Sequence, residues 1–285
     1  MRAYRQGQQP FNTAVRPTGG GTQTFLEEWE RGAGRAGGLY AGLAGLYGLT
    51  ARWNHRMPAG DSGGIAAPAV SSLQQMLWLA LNPQLEADTV EYRWNSAIAR
   101  LPAAPAGDYS FQIDAAYRIG IDANAFITPP PVESKGPSMG IIVGNDTLLA
   151  AGWLAPFYFS ATEYFEGSVE TSPEIWTNAQ TLASASTVEG EGFGIVYLTV
   201  LVTRSGGTTT IQTFSSPDGV SKTQIGQQTM ATIPTCIGFA VRTQRPAPDD
   251  LGLPASGWCE YIRVRPTAAG GFGSVNFGQT GGRNW

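Results

Sequence analysis

The sequence predicts an all-β protein whose central part is one antiparallel β-sandwich. From Asp108 onward, segments in which apolar and polar residues alternate follow one another, and each is bounded by Gly, Pro, Asn or Asp. Alternation of this kind is typical of half-buried strands, and no helical period separates the segments. The chain has 285 residues, a length that a sandwich reaches as one domain with tails. Many short strands joined by turns indicate a sandwich or a barrel.

Eight segments carry the strand pattern. They are DYSFQIDAAYRIGI, MGIIVGN, APFYFSATEYF, SVETSPEIWTN, GIVYLTVLVTRS, TTTIQTFSSPDG, CIGFAVRT and WCEYIRVRP. Residues 204–208 predict a hairpin turn between two of them. Residues 71–83 fit a helical face bounded by Ser and Pro, but Met76, Trp78 and Ala80 also alternate as in a strand. The β character of the neighbouring segments favours the strand.

The composition of the two ends divides the chain into three parts. We predict an extended N-terminal arm over residues 1–24, the sandwich over 25–266 and a Gly-rich C-terminal tail over 267–285. Both ends carry aromatic residues, which ordinary disordered tails lack. We therefore expect the ends to become ordered against partners, with fraying as the alternative. The residues expected to act in assembly are Arg2, Tyr4, Arg5, Phe11, Arg16, Phe277 and Trp285.

The low charge content favours contacts with other protein. Charged residues make up 14% of the chain, against roughly 25% in typical soluble domains, so few charges must be desolvated when a contact forms. The net charge of −4 gives no global attraction to nucleic acid or to an anionic membrane. We therefore expect neither as a partner. Residues 1–56 contain seven Arg against three Glu, so docking of a basic arm onto an acidic body is one interpretation, and chance placement of charges on a solvated surface is the other.

Export and disulfide formation are not expected. No run of about 18 apolar residues is present, as a membrane-spanning helix would need. The N-terminal segment lacks the apolar stretch of a signal peptide, so we expect synthesis in the cytoplasm. Cys236 and Cys259 are too few for a disulfide framework and lack the spacing of zinc ligands. Buried free thiols are the prediction, with one disulfide as the less favoured alternative.

Four segments between residues 101 and 266 carry the motifs of a known family. LPAAPAGDYSFQIDA leads into a strand through a Gly-Asp turn, and TTTIQTFSSPDG ends a strand in an Asp-Gly turn; CIGFAV and YIRVRP follow in order. This series resembles the concanavalin A-like sandwiches of lectins and glucanases, in particular the variants found in bacteriophage structural proteins. The family often has Trp shortly after the Asp-Gly turn, where this chain has Ser221 and Lys222.

The resemblance implies a jelly-roll fold and a structural function. The expected protein is a virion component of a bacteriophage-like particle, located in its tail, baseplate or head surface. Its expected partners are other virion proteins and copies of itself. A carbohydrate-binding module that recognises a host surface glycan is the alternative, and a glycoside hydrolase is a less favoured one. No cofactor is expected.

No residue is predicted to be catalytic or to bind a metal. His55 is the single histidine, and no Gly-x-Ser-x-Gly nucleophile motif accompanies it. Glu166 and Glu170 lie on one side of a strand pattern, as the carboxylates of a retaining glucanase do, but Ser168 stands where that family has a central Asp. Residues 145–146 and 249–250 contain Asn or Asp suited to calcium, and a simple turn explains both.

An aromatic and acidic stretch supplies the candidate glycan-binding residues. Sugar recognition uses aromatic faces together with amide or carboxylate partners. The candidates are Trp153, Tyr158, Tyr164, Trp176 and Asn178. Strand alternation would bury about half of the aromatic rings, so a core position remains the alternative for each of them.

Overall fold

The structure is a computed structural model of the whole chain. It describes residues 25–27, 53–56, 65–70, 77–81, 91–101, 108–120, 138–150, 153, 155–165, 168–177, 180–184, 188–191, 195–216, 219–244 and 255–267. Within these residues the secondary structure consists of strands and one short 3-10 helix, Asp146–Leu149. The predicted assembly residues of both ends lie outside the described residues.

Sheet A contains eight strands, all paired antiparallel. In order across the sheet they are β14 (Thr223–Met230), β13 (Thr208–Ser216), β12 (Val196–Ser205), β6 (Tyr109–Gly120), β16 (Ala255–Pro266), β4 (Leu77–Leu81) and β3 (Ile65–Val70). The eighth strand, β1 (Phe25–Glu27), also pairs with β16.

Sheet B contains eight more strands, again all antiparallel. In order they are β10 (Gln180–Ser184), β9 (Ser168–Thr177), β8 (Phe157–Phe165), β7 (Ser138–Gly144), β15 (Cys236–Gln244), β5 (Tyr92–Arg100) and β2 (Trp53–Arg56). Strand β11 (Val188–Glu191) pairs with β9. The chain changes sheet repeatedly, and the two antiparallel sheets confirm the predicted jelly-roll β-sandwich.

The sequence pattern located most strands but missed two long ones. All eight predicted segments form strands, and the ambiguous segment contains β4. Strand β5 was missed because six consecutive residues, 94–99, are buried, so polar and apolar residues do not alternate along it. Strand β14 was missed because it is an edge strand in which only Ile225 and Met230 are buried.

Alternate residues of the two sheets form the main core. Phe111 and Ile113 of β6 and Phe239 and Val241 of β15 belong to this one buried cluster. Burying a side chain of this size contributes about 1.5–3 kcal/mol. Because the cluster takes the inward residues, the intervening residues of each strand lie on the outer face of its sheet.

Tyrosine hydroxyls connect the sheets through the core. The Tyr117 hydroxyl lies 2.7 Å from the Thr162 hydroxyl, and the Tyr158 hydroxyl is hydrogen-bonded to that of Thr213. Burial raises the pKa of both tyrosines, so both phenols stay neutral and keep their hydrogen bonds. Each pair fixes one position of sheet A against sheet B.

Both cysteines are buried free thiols, as predicted. Burial, followed by the charge of Asp146, raises the pKa of Cys236 to about 12. This thiol is therefore protonated at neutral pH and is a poor nucleophile. None of the described residues lies in a helix with the length and hydropathy of a membrane span.

We expect Gly140→Ala to destabilise the protein by about 1–3 kcal/mol, the range for overpacked sites. A Cβ at this position of β7 would lie 1.8 Å from the Ser160 carbonyl oxygen. Urea unfolding followed by tryptophan fluorescence measures the change. Val220→Ala is the control, because Val220 is 55% exposed. Equal unfolding midpoints for the two variants would contradict this packing.

Candidate functional site

The sequence-predicted glycan residues are mostly core side chains. Trp153, Tyr158 and Trp176 are fully buried. Tyr158 faces the inter-sheet core, whereas Trp153 and Trp176 belong to a second buried cluster. None of the three rings offers a face to a sugar, so the core alternative holds for them. Tyr164 lies in β8, but its side chain is not described. Asn178 is outside the described residues.

The second cluster lies on the outer face of sheet B and is built around five aromatic rings among the described residues. Its members are Trp94, Ile98, Ile142, Leu148, Trp153, Phe157, Phe159, Ala161, Trp176, Cys236 and Ala240. Trp94 makes edge contacts with four other rings of the cluster, with centroids 4.9–5.9 Å apart. Such contacts are worth about 0.5–1.5 kcal/mol each beyond burial. This face is therefore a packed surface with its own core.

One cation is enclosed by this aromatic cluster. The guanidinium carbon of Arg242 lies 4.7 Å from the ring centroid of Trp176 and 5.4–5.7 Å from those of Tyr92, Trp94 and Phe159. These distances are within the range of cation–π attraction. We call Arg242, these four rings and Glu174 the Arg242 cage.

Glu174 neutralises the caged cation. Its Oε2 atom accepts hydrogen bonds from Arg242 Nη1 at 2.9 Å and from Trp176 Nε1 at 2.6 Å. Arg242 Nη2 also donates to Ser138 Oγ at 2.8 Å. The strand register brings these groups together, because Arg242 is opposite both Trp94 and Ser138, and Glu174 is opposite Phe159.

Trp153 holds the cluster at a strained backbone position. Its φ of 45° lies in the left-handed region, and its ring packs against Trp94 and Phe157 with centroids 5.6 and 5.3 Å away. A non-glycine residue in a sparsely populated backbone region costs about 1–3 kcal/mol. Burial and ring contacts offset that cost, so Trp153 has a structural role here.

A charged cluster occupies the outer face of sheet A. Asp114 of β6 is fully buried, and its Oδ2 accepts hydrogen bonds from Arg263 Nε and Nη2 at 3.2 and 3.0 Å. Its Oδ1 accepts from Gln112 Nε2 at 2.6 Å and Thr199 Oγ1 at 3.0 Å. Cross-strand register explains the convergence, since Asp114 is opposite both Thr199 and Arg263.

Two further cations approach the same carboxylate. Lys222 Nζ and Arg265 Nε each lie 3.6 Å from an Asp114 oxygen. We call Asp114, Gln112, Thr199, Lys222, Arg263 and Arg265 the Asp114 hub. Burial and then repulsion by Arg265 and Arg263 outweigh the attraction of Asp114, and they lower the pKa of Lys222 to about 8. Burial likewise lowers the pKa of Arg265.

The remaining sequence candidates have structural explanations or lie outside the described residues. Asn145 caps the 3-10 helix by accepting from Thr147 N, and Asp146 pairs with Arg100 at 2.8 Å. Within the described part of the chain, no three His, Cys, Asp or Glu side chains are placed to hold a metal ion. The His55 backbone lies in β2. Glu166 and residues 249–250 are not described.

Neither the Arg242 cage nor the Asp114 hub was predicted from the sequence. Two predicted strands carry polar residues at alternate positions, namely Gln112 and Asp114 in one and Arg263 and Arg265 in the other. The sequence therefore indicates that each pair lies on one side of its strand. The sequence does not indicate that the two pairs meet, because Asp114 and Arg263 are 149 residues apart in the chain. From the sequence, Arg242 could be recognised only as a charge near the end of an apolar strand.

Comparison with known proteins identifies similar folds but no family. No family model matches the chain, and no curated protein matches it. A GH43 protein of Bacillus licheniformis matches with 12% identity and a TM-score of 0.49, over 85% of this chain and 39% of that protein. With a TM-score of 0.43 each, a Bacillus licheniformis β-glucanase has 12% identity, and the CBM2 module of the evolved Dit of Lactobacillus casei BL23 phage J-1 has 9%. The glucanase match covers 87% of this chain and 98% of the glucanase, and the module match covers 86% of this chain and 96% of the module. All three likenesses are too distant to argue a function.

We expect Arg242→Met to cost about 3–5 kcal/mol, because it leaves the largely buried Glu174 without its cation. Adding Glu174→Gln should recover a large part of that loss, since the unpaired charge is then gone. Urea unfolding measures both. Arg100→Met is the control, because it breaks an ion pair whose side chains are 63% and 57% exposed, and it should cost at most about 1 kcal/mol. A double variant as unstable as Arg242→Met would contradict the caged ion pair.

We expect Lys222 to make the protein more stable as pH rises above about 8. Its pKa is about 8 when folded and 10.5 in the reference state, so between these values the unfolded chain binds more protons and the free energy of unfolding rises with pH. The groups facing Lys222 are Asp114 of β6 and Arg263 and Arg265 of β16. Thermal unfolding from pH 7.5 to 9.5 measures the slope. Lys222→Met should flatten it, and an unchanged slope would show that another group titrates.

Proposed function

We propose that this chain is a non-catalytic structural component of a bacteriophage-like particle. In this proposal the sandwich is a rigid body, used for assembly with copies of itself and other virion proteins or for attachment to a host surface. The particle as the location, and the basic arm as an assembly device, follow from the sequence resemblance and the composition of the two ends.

One observation carries the non-catalytic part of the proposal. Glu174 lies on the outer face of the strand that also contains Glu170, and its Oε2 accepts from both Arg242 and Trp176. A retaining glycosidase needs two carboxyl groups about 5–5.5 Å apart, one acting as acid and the other as nucleophile. The Glu174 carboxylate is instead engaged by a guanidinium and an indole beside a buried aromatic cluster, which is a structural role.

The same cage supports a role as a rigid body. The rings of β5, β8 and β9 and the guanidinium of β15 join four strands of sheet B through one group of contacts. The tyrosine hydroxyl pairs then join sheet B to sheet A. Packed layers of this kind deform little, which suits a protein that transmits position within an assembly.

Carbohydrate binding is the second candidate function. It follows from the sequence resemblance to lectins, and the outer face of sheet A, where the partly exposed Lys222 and Arg265 side chains lie near Asp114, is the polar face of the sandwich. Trp153 and Trp176 do not support it, because both are buried. A glycan that binds this protein would therefore use the face of sheet A.

We expect the full chain to be a discrete oligomer in solution and a variant starting at Thr22 to be a monomer of about 28 kDa, because it keeps 264 residues of a 285-residue chain of 30.2 kDa. In this proposal the N-terminal arm makes the self-assembly contacts, and the first described strand begins after the arm, at Phe25. Light scattering measures both masses. The thermal unfolding of the truncated chain serves as the control for folding.

Two results would count against the proposal. Monomers for both chains would remove self-assembly and leave glycan binding as the leading function. Release of sugar from a β-glucan by the full chain, lost in Glu170→Gln and retained in Glu91→Gln, would make the protein a hydrolase. Glu91 is the matched control because it is an exposed glutamate that precedes β5.

A further inference from the structure

One edge of sheet A is formed by β14, which lacks the features that usually protect an edge strand. Among the described residues β14 pairs only with β13. It is eight residues long and contains no charged residue and no proline. Its residues 226–230 are in regular register with residues 209–213 of β13, and the irregularity in the pairing lies before them. An edge of this kind presents unpaired backbone N–H and C=O groups to which another strand can add.

The other edge strands of the two sheets are better protected, as far as the structure describes them. Strands β1, β2 and β11 have only three or four residues each, and each contains a charged residue. Strand β3 contains Pro68, and the register of β10 is interrupted between Thr181 and Ala183. Short length, charge, proline and irregular register all discourage the addition of a further strand. Strand β14 is therefore the edge best suited to receive one.

The two faces of β14 differ in burial. Met230 is buried in the main core, and Gln228 lies on the same side, where its Nε2 atom donates to the Pro173 carbonyl oxygen of β9 at 3.2 Å. Gln227 and Thr229 are exposed on the opposite face. A strand that adds to β14 would continue the sandwich if it placed apolar residues beside Met230 and polar residues beside Gln227.

The N-terminal arm contains a segment with this pattern. In FNTAVR, a segment bounded by a proline on each side, Phe11, Thr13 and Val15 alternate with polar or small residues. Phe, Thr and Val favour strands, and the flanking prolines limit the strand to this segment because proline cannot donate to a ladder. The five residues from Phe11 to Val15 equal the regular part of β14 in length. The segment therefore fits this edge in both pattern and length.

The charge of the arm complements that of the strands beside β14. Residues 1–24 contain three Arg and no acidic residue. Strand β9 contacts β14 through the hydrogen bond from Gln228 to Pro173, and β11 pairs with β9. Together β9 and β11 contain four Glu and no basic residue, and Arg242 of β15 pairs with one of them, Glu174. A basic segment at the β14 edge would therefore be attracted to this side of the sandwich.

The position of β1 favours the β14 edge of a neighbouring copy over that of the same chain. Strand β1 follows the arm and lies five strand spacings from β14 across sheet A, which is about 24 Å. The nine residues 16–24 extend to about 30 Å at most. To reach β14 of its own chain, this segment would have to cross the outer face of sheet A almost fully extended. An arm that reaches a neighbouring copy has no such constraint.

We infer that residues 11–15 of one copy pair as a strand with β14 of a neighbouring copy. Backbone hydrogen bonds along the β14 edge supply the affinity, as in other cases of strand addition. Phe11 and Val15 extend the buried side of the sheet, and the arginines of the arm lie near the glutamates of β9 and β11. The pairing rests on the proposed self-assembly through the arm, and it names β14 as the surface that receives the arm.

Light scattering of full-length variants tests the arm side of this contact. Val15→Asp places a charge on the face that the pairing buries, so it should raise the concentration at which the oligomer dissociates by on the order of tenfold or more. Asn12→Asp is the matched control, because it adds the same charge on the opposite face, and it should change that concentration much less. Equal dissociation of the two variants would contradict the pairing.

Crosslinking tests the receiving side. Full-length chains carrying Asn12→Cys are mixed with chains carrying Gln227→Cys and treated with a bis-maleimide, and the product is identified by mass spectrometry. The native Cys236 and Cys259 are buried and should react little. A covalent dimer of the two variants should form. Glu91→Cys in place of Gln227→Cys is the control and should give much less dimer, because Glu91 is exposed and precedes β5, four strands from β9 in sheet B.

The outcomes separate this inference from the proposed function. An oligomer that is lost in the variant starting at Thr22, but that survives Val15→Asp and gives no crosslink to Gln227→Cys, would overturn the pairing and leave assembly through the arm intact. A monomeric full chain that carries both new cysteines and crosslinks within itself would also overturn the pairing, by placing the arm on its own β14. A monomeric chain without that crosslink would refute both the pairing and the proposed self-assembly.

Discussion

The buried carboxylate of Asp114 is the constraint that organises sheet A. It accepts hydrogen bonds from Gln112 on its own strand, from Thr199 on β12 and from Arg263 on β16. It also attracts Lys222, which lies just before β14. A charge removed from water in this way is tolerated only with such partners. The three central strands therefore have one register in which the carboxylate is satisfied, and a slip by one residue would leave it buried among apolar groups.

Sheet B also contains a buried charge, but this charge is the positive one of Arg242. Arg242 is buried on the outer face among four aromatic rings and is neutralised by Glu174. The aromatic cluster supplies the hydrophobic burial, and the ion pair joins β15 to β9, which are separated in the sheet by β7 and β8. Trp153 completes the cluster at the cost of a left-handed backbone. The two sheets thus share a core but have different outer faces, one apolar and closed, the other charged.

The two outer faces of the sandwich differ in their chemistry. The aromatic face is closed, and its glutamate is engaged by both Arg242 and Trp176. The charged face has recessed cations and a buried amide gathered around one carboxylate.

The sequence by itself determined the fold class, most of the strands, the turn glycines and the buried thiols, because these depend on local periodicity and backbone preference. Gly206, Gly207 and Gly219 have the positive φ that their turns require. Only the tertiary structure decided which polar residues converge and which aromatic rings are buried. Strand pairing over 149 residues brings Arg263 to Asp114, and the second cluster buries Trp176 on a face that alternation alone would have exposed. Alternation assigns a residue to one of two faces, but the covering of each face depends on contacts distant in sequence.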